Sequence, residues 1–287
     1  MGEKAVYKLT FKKKVQVPID VRRITPDLFA GKDINKILGL EVREGREKVK
    51  LSEIFDVEGP STAPNDVNMI EIHIAGEDTY KTRFLGFKMS GGTIIVEGDT
   101  GPLTGYKMKN GTIIVRGNAR SWLGAKMQNG TIEVFGNAGD FVGAKLMGEA
   151  LGSGMKKGMI IIHGNAGSNV GAGKAGGSII IEGDAGNCVG AYMTGGSILV
   201  MGNCGKFAGL RITRGRVVVG GKIDGILPSF YVDSIIPSTK VKGYKFEKPF
   251  VVFIGDAVAN GMGMLQVSYE DNKEILEYYK KLLEVEL

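Results

Sequence analysis

A mainly β chain, a parallel and right-handed β-helix of seven to eight coils, is the fold the sequence predicts. Three observations carry this: a recurring glycine-bounded apolar segment, its constant spacing, and two unbroken β-branched columns. The segment Gly92-TIIVE-Gly98-Asp returns as Gly111-TIIVR-Gly117-Asn, Gly130-TIEVF-Gly136-Asn, Gly158-MIIIH-Gly164-Asn, Gly177-SIIIE-Gly183-Asp and Gly196-SILVM-Gly202-Asn. Gly215-RVVVG-Gly221-Lys closes the series. Of the six intervals, five are 19 residues and one is 28. Such self-similarity is the signature of a stacked-repeat architecture.

Each repeat supplies two positions for one core face. Ile94, Ile113, Ile132, Ile160, Ile179, Ile198 and Val217 form one column, and Val96, Val115, Val134, Ile162, Ile181, Val200 and Val219 the other. Positions two apart on short runs are strand periodicity, and the runs are too short and glycine-bounded for helices. Seven strands at about 4.8 Å spacing give a rod of roughly 29 Å. An eighth, degenerate coil is expected from Ile72, Ile74 and Gly86-Phe-Lys-Met89. Right-handedness follows from the chirality of parallel crossovers.

Glycine numbers 45 of 287 residues, roughly twice average usage. The repeat places them at corners: Gly98, Gly117, Gly136, Gly164, Gly183 and Gly202, then seven residues on Gly105, Gly124, Gly143, Gly171, Gly190 and Gly209. Positive φ without a Cβ penalty is the expected reason. The neighbouring Asn or Asp is expected to tolerate left-handed backbone and to bond locally.

Residues 1–68 read as an N-terminal cap, 69–228 as the repeat domain and 229–287 as a C-terminal cap. In the first, Thr25-Pro26-Asp27 opens a short helix, and Gly39 ends the helix DINKIL. In the last, PFVVFIGD is strand-like and Asp271-x-x-Glu274 is a capping box opening KEILEYYKKLLEV. Atypical ends protect the open edges of a stack.

Composition excludes several function classes. Net charge is +6 and apolar content 43%, a mild basic balance that hints at an anionic partner rather than nucleic acid. No signal-like apolar stretch or run of 18 apolar residues occurs, so a cytoplasmic chain away from membranes is expected. The sequence holds neither a P-loop, GxSxG, HExxH nor CxxC motif. Cys188, Cys204, His73 and His163 stand in unrelated columns, so no catalytic, cofactor or metal site is assigned to this chain.

Three features remain. The column between the core columns, Ile95, Ile114, Glu133, Ile161, Ile180, Leu199 and Val218, points outward if its neighbours point in. An outward apolar ladder asks for a cover, either the chain's N-terminal region or a partner subunit. Lys88, Lys107, Lys126 and Lys145, resuming at Arg211, form a basic column: a solvated face, or a docking stripe for an acidic partner or a polyanionic cofactor tail. The 28-residue interval adds nine residues around Leu146–Gly154, a neutral insertion or a binding loop.

The repeat resembles the GXGXG β-helix family, which includes the C-terminal domain of the glutamate synthase large subunit and the C subunit of formylmethanofuran dehydrogenase. Ile24-Thr-Pro-Asp-Leu-Phe-Ala-Gly31, EGREKVKLSEIFDVEG and Phe253-Ile-Gly-Asp256 are similar to the formylmethanofuran dehydrogenase branch. That resemblance implies a scaffold subunit in an archaeal oxidoreductase complex of methanogenesis, which reduces carbon dioxide to a formyl group on methanofuran. It also implies that the tungsten or molybdenum pterin cofactor, iron–sulfur clusters and zinc sit on partner subunits. A bacterial formyltransferase/hydrolase complex and a glutamate synthase structural domain are the alternatives. A free-standing polysaccharide-active enzyme is a weaker one, lacking an acidic cleft motif.

Overall fold

Four-residue strands form wherever the glycine-bounded segments stand: Thr93–Val96, Thr112–Val115, Thr131–Val134, Met159–Ile162, Ser178–Ile181, Ser197–Val200 and Arg216–Val219. They are seen in a computed structural model that describes residues 3–282. Strands this short hold only through neighbours. Each pairs in parallel with the next, residue for residue, so that Ile94, Ile113, Ile132, Ile160, Ile179, Ile198 and Val217 face one another in a single file. All seven are fully buried, as is the column from Val96 to Val219. The chain is mainly β, and these strands belong to one sheet of thirteen.

The rest of each unit also stacks. Thr100, Ala119, Ala138, Ala166, Ala185, Cys204 and Ile223 make a second file of parallel bridges. Met89, Met108, Met127, Met155 and Met193 make a buried methionine file, where flexible thioethers fill the space between the walls. The long interval does not disturb this order, because Ile132 pairs with Ile160 across it.

Two glycine columns serve different physical needs. Gly105, Gly124, Gly143, Gly171, Gly190 and Gly209 have φ between 60° and 72°, the left-handed region expected of them. Gly98, Gly117, Gly136, Gly164, Gly183 and Gly202 do not have positive φ, which corrects the sequence expectation. From Gly117 onward they are glycine because the preceding unit's backbone lies where a side chain would begin: a Cβ on Gly136 would sit 2.8 Å from the Gly117 carbonyl oxygen and 2.6 Å from Asn118 Oδ1. Gly98 has only the Thr79 hydroxyl oxygen nearby, at 3.0 Å. The following Asn or Asp is likewise neither left-handed nor locally bonded. Asp99 Oδ1 accepts the Asn118 N–H at 2.7 Å, Asn118 Oδ1 that of Asn137 at 2.8 Å, and Asn137 Oδ1 that of Asn165 at 2.8 Å. The file continues through Asn165, Asp184 and Asn203.

Both ends of the stack are closed by the flanking segments. Ala5–Phe11 runs parallel to Ile70–Ala75, the strand before the first full repeat, and antiparallel to Phe55–Glu58. Short helices Pro26–Phe29 and Ile34–Leu38 follow, capped by Thr25 and Asp33, with Gly39 at the second helix's end. At the other end Gly263–Ser268 pairs in parallel with Arg216–Val219, then Phe250–Gly255 and Tyr231–Ile236 pair antiparallel. The helix Lys273–Leu282 ends the described chain, and residues 283–285 of the expected helix lie outside it. The Asp271 carboxylate engages Ser268 and Lys248 rather than the helix start.

Gly136→Val is expected to lower stability by about 1–3 kcal/mol through overpacking against the Gly117 backbone. Chemical denaturation checks this, and an unchanged midpoint would refute the close contact.

Candidate partner interface

The register fixes what the outward column contains: His73, Ile95, Ile114, Glu133, Ile161, Ile180, Leu199, Val218 and Gln266, one per strand. Its C-terminal third is covered. Ile180, Leu199 and Val218 are fully buried in a satellite core with Val241 and Phe250, flanked by Met201, Ile236, Tyr244 and Phe246. The cover is the hairpin of Thr239–Val241 and Tyr244–Phe246 with the strand that follows. So these three residues face the chain's own C-terminal segment. Of the covers expected from the sequence, a terminal region of the chain itself or a partner, it is the chain itself that closes this part, with its C-terminal rather than its N-terminal region.

Polar contacts fasten both margins of the uncovered part. Tyr244 donates its hydroxyl to Glu182 Oε1 at 3.0 Å, Glu182 Oε2 lies 2.8 Å from His163 Nδ1, and His163 Nε2 lies 2.9 Å from Glu133 Oε1. Burial opposes the charged His163 ring, but the hydrogen bonds to Glu133 and Glu182 outweigh it and raise its pKa. At the N-terminal margin His73 Nε2 lies 2.7 Å from Glu71 Oε1, and Lys4 donates to Glu71 and Thr93. Between the margins Ile114 and Ile161 are half-buried, while Ile95 is only 9% exposed. Phe135 is 44% exposed with the Arg116 guanidinium 4.8 Å over its ring. Apolar side chains beside an aromatic and an arginine suit a protein contact.

The basic column lies on another side of each unit. Lys88, Lys107, Lys126 and Arg211 adopt left-handed backbone, φ 53° to 57°, two residues past the glycines of the positive-φ column. The N–H groups of the three lysines reach the next unit, Lys107 to Ala125 at 3.0 Å for example, and that of Arg211 reaches the Asp256 carboxylate at 2.9 Å. Lys126 pairs with Glu149 of the nine-residue insertion, and Lys145 Nζ lies 3.4 Å from the Leu146 carbonyl oxygen.

One residue escapes notice in the sequence although its column marks it. Lys174 stands in the methionine file, between Met155 and Met193, and is fully buried. Its amine donates to the carbonyls of Gly177 at 2.9 Å and of Gly195 and Ser197 at 3.4 Å. Burial pushes its pKa down to about 7. Cys204 is buried too, and burial pushes its thiol up to about 12. Among the described residues no group of three or more His, Cys, Asp or Glu is placed to hold a metal ion, and no helix is long and apolar enough to cross a membrane.

Lys174→Met is expected to change how stability depends on pH. The native lysine titrates near pH 7 and the unfolded one near 10.5. Between these values the unfolded state binds more protons, so wild-type stability rises with pH by at most about 1.4 kcal/mol per unit. Below pH 7 both states are charged and this slope vanishes. The methionine variant should lose the rise and gain most at and below neutrality; an unchanged profile in denaturation series from pH 6 to 10 would refute the buried amine. Separately, Ile180→Lys should destabilise the isolated chain by at least about 1.5–3 kcal/mol, since its cover is internal. Wild-type thermal stability in that variant would contradict the satellite core.

No family model matches the chain. It is 42% identical over 92 residues to the C subunit of the tungsten-containing formylmethanofuran dehydrogenase 2 of Methanothermobacter wolfeii, covering 32% of this chain and 33% of that protein. Over 90 residues it is 39% identical to the C subunit of the molybdenum-containing formylmethanofuran dehydrogenase 1 of Methanothermobacter thermautotrophicus, covering 31% of this chain and 21% of that one. The chain thus spans about a third or less of the length of the curated relatives it matches. Among solved structures, a chain of the formyltransferase/hydrolase complex from Methylorubrum extorquens, in complex with methylofuran, superposes with a TM-score of 0.73. The match covers 91% of this chain and 99% of that one at 23% identity. The likeness is therefore to the C subunit of formylmethanofuran dehydrogenase over a third of the sequence, and to a chain of the formyltransferase/hydrolase complex over nine-tenths of the fold.

Proposed function

We propose that the chain is a non-catalytic scaffold, the C subunit of a tungsten- or molybdenum-dependent formylmethanofuran dehydrogenase assembly. Its stacked units then form a right-handed parallel β-helix between two caps. The observation that carries this reading is the sequence likeness to C subunits of enzymes of both metal types. The whole-fold likeness to a chain of the formyltransferase/hydrolase complex supports it. A rigid stack contributes by geometry: its register holds the Ile114–Ile161 strip in one plane, so a partner meets a prearranged surface and little ordering entropy is lost on docking.

The residues present do not fit a pterin-held metal or an iron–sulfur cluster. Such clusters need several thiolates, and this chain has two cysteines, one with its thiol pushed up to about 12 and the other also raised. The cofactors and the redox step accordingly belong to partner subunits, and no step of the chemistry is assigned here. A second reading, the equivalent subunit of a formyltransferase/hydrolase complex, is favoured by the structural likeness alone.

Affinity purification of the tagged chain from its native host distinguishes the two. The first reading expects a stoichiometric assembly containing tungsten or molybdenum, the second an assembly without either, and recovery of the chain by itself would overturn both. Ile114→Lys with Ile161→Lys should leave the isolated chain within about 1 kcal/mol of wild type, since both positions are half-exposed, yet prevent assembly. Full assembly of that double variant would remove the strip from the interface.

A further inference from the structure

The four lysines of the basic column do not share one environment. Lys126 has a carboxylate from within the chain: Glu149, on the nine-residue insertion, folds back to it. The second Glu149 oxygen accepts the Leu146 N–H at 3.1 Å and lies 3.3 Å from the Ser153 hydroxyl. The hydrogen bond from Lys126 leads in holding this carboxyl below its usual range. One and two units away, Lys107 and Lys88 have no such partner, and among the described residues neither makes an ion pair.

Their surroundings are aromatic instead. Lys88 Nζ lies 5.1 Å from the Phe87 ring centroid and Lys107 Nζ 5.1 Å from that of Tyr106. The two rings stack on each other at 5.7 Å and 19°. Phe84 packs beside both, with Arg22 4.6 Å and Arg83 5.7 Å from its centroid. Among the described residues, only Arg22 of these four cations has a carboxylate, that of Asp20. A concentration of positive charge on an apolar support is a surface for an anionic partner.

We propose that this surface docks an acidic segment of a protein partner, whose carboxylates sit on Lys88 and Lys107 as Glu149 sits on Lys126. The proposal rests on the subunit reading and deepens it by naming the chemistry of one contact. The internal glutamate shows that the column accepts a carboxylate from a protein chain. The unit spacing of about 4.8 Å approaches the roughly 5–6 Å between side chains three or four apart on a helix. A single-stranded nucleic acid fits less well, because Phe87 and Tyr106 present their faces to each other rather than to bases.

The test is a fluorescence anisotropy titration of the full chain with a labelled helical Ala/Glu peptide at low salt. Lys88→Glu with Lys107→Glu should weaken binding about tenfold or more. Lys206→Glu with Lys222→Glu, exposed lysines elsewhere with the same net charge change, should stay within about twofold of wild type. Should the charge reversals unfold the chain, Lys88→Gln with Lys107→Gln gives the same readout. Equal weakening by both pairs, absence of saturable binding, or tighter binding of a single-stranded oligothymidylate of matched charge would each overturn the proposal. The titration needs no assembled complex, so a chain that binds the peptide yet purifies alone refutes the subunit reading and not the docking surface.

Discussion

The structure depends on one steric constraint: from the second repeat onward, the backbone at one corner touches the backbone of the unit before it. A Cβ on Gly136 or Gly164 would stand within 2.9 Å of the preceding glycine's carbonyl group. Contact this close lets the next residue's carboxamide or carboxylate reach across and accept an N–H, as Asn118 does for Asn137. A closed file of such bonds leaves no room for a unit to slip. A one-residue slip would turn the buried isoleucines outward and the outward column inward. The bare corner, the Asn/Asp file and the two isoleucine and valine columns are thus one device for holding register.

Much of this was legible in the sequence because a stack repeats its errors and its rules. The columns from Ile94 to Val217 and from Val96 to Val219 could be read from spacing alone, and the helix start at Thr25 and the helix end at Gly39 from local signals. What spacing could not tell was why a glycine is needed. Positive φ and close approach leave the same letter, and the structure assigns Gly105 to the first cause and Gly136 to the second. The cover over Ile180, Leu199 and Val218 was hidden for a different reason. The hairpin containing Tyr244 is some sixty residues from Glu182, with which it bonds, and no local pattern records so distant a contact. Lys174 was visible in its column, but nothing in a sequence distinguishes a buried lysine from an exposed one until the methionines on either side are known to point inward.

The outward ladder shows how a chain divides a surface between itself and others. Its C-terminal third, where Ile180, Leu199 and Val218 form an unbroken apolar run, is sealed by the chain's own hairpin. The middle is interrupted by Glu133 and left partly open, with His163 joining Glu133 to Glu182 at the hairpin's margin. The insertion around Glu149 does something similar for the basic column, neutralising Lys126 and leaving Lys88 and Lys107 to the rings beneath them. In both cases an added segment narrows the surface available to other molecules. The nine-residue insertion does so without altering the stack, since Ile132 still pairs with Ile160 across it.

The residue-for-residue pairing of successive strands has one further consequence. It makes the protein a graduated ruler, with each repeat one division of about 4.8 Å. The terminal strands at either end of the sheet are separated by the number of divisions between them. Loss of a whole repeat from the middle would close a perfectly matched joint, so the shortened molecule would still fold, but anything that grips both ends at once would find them one division too near.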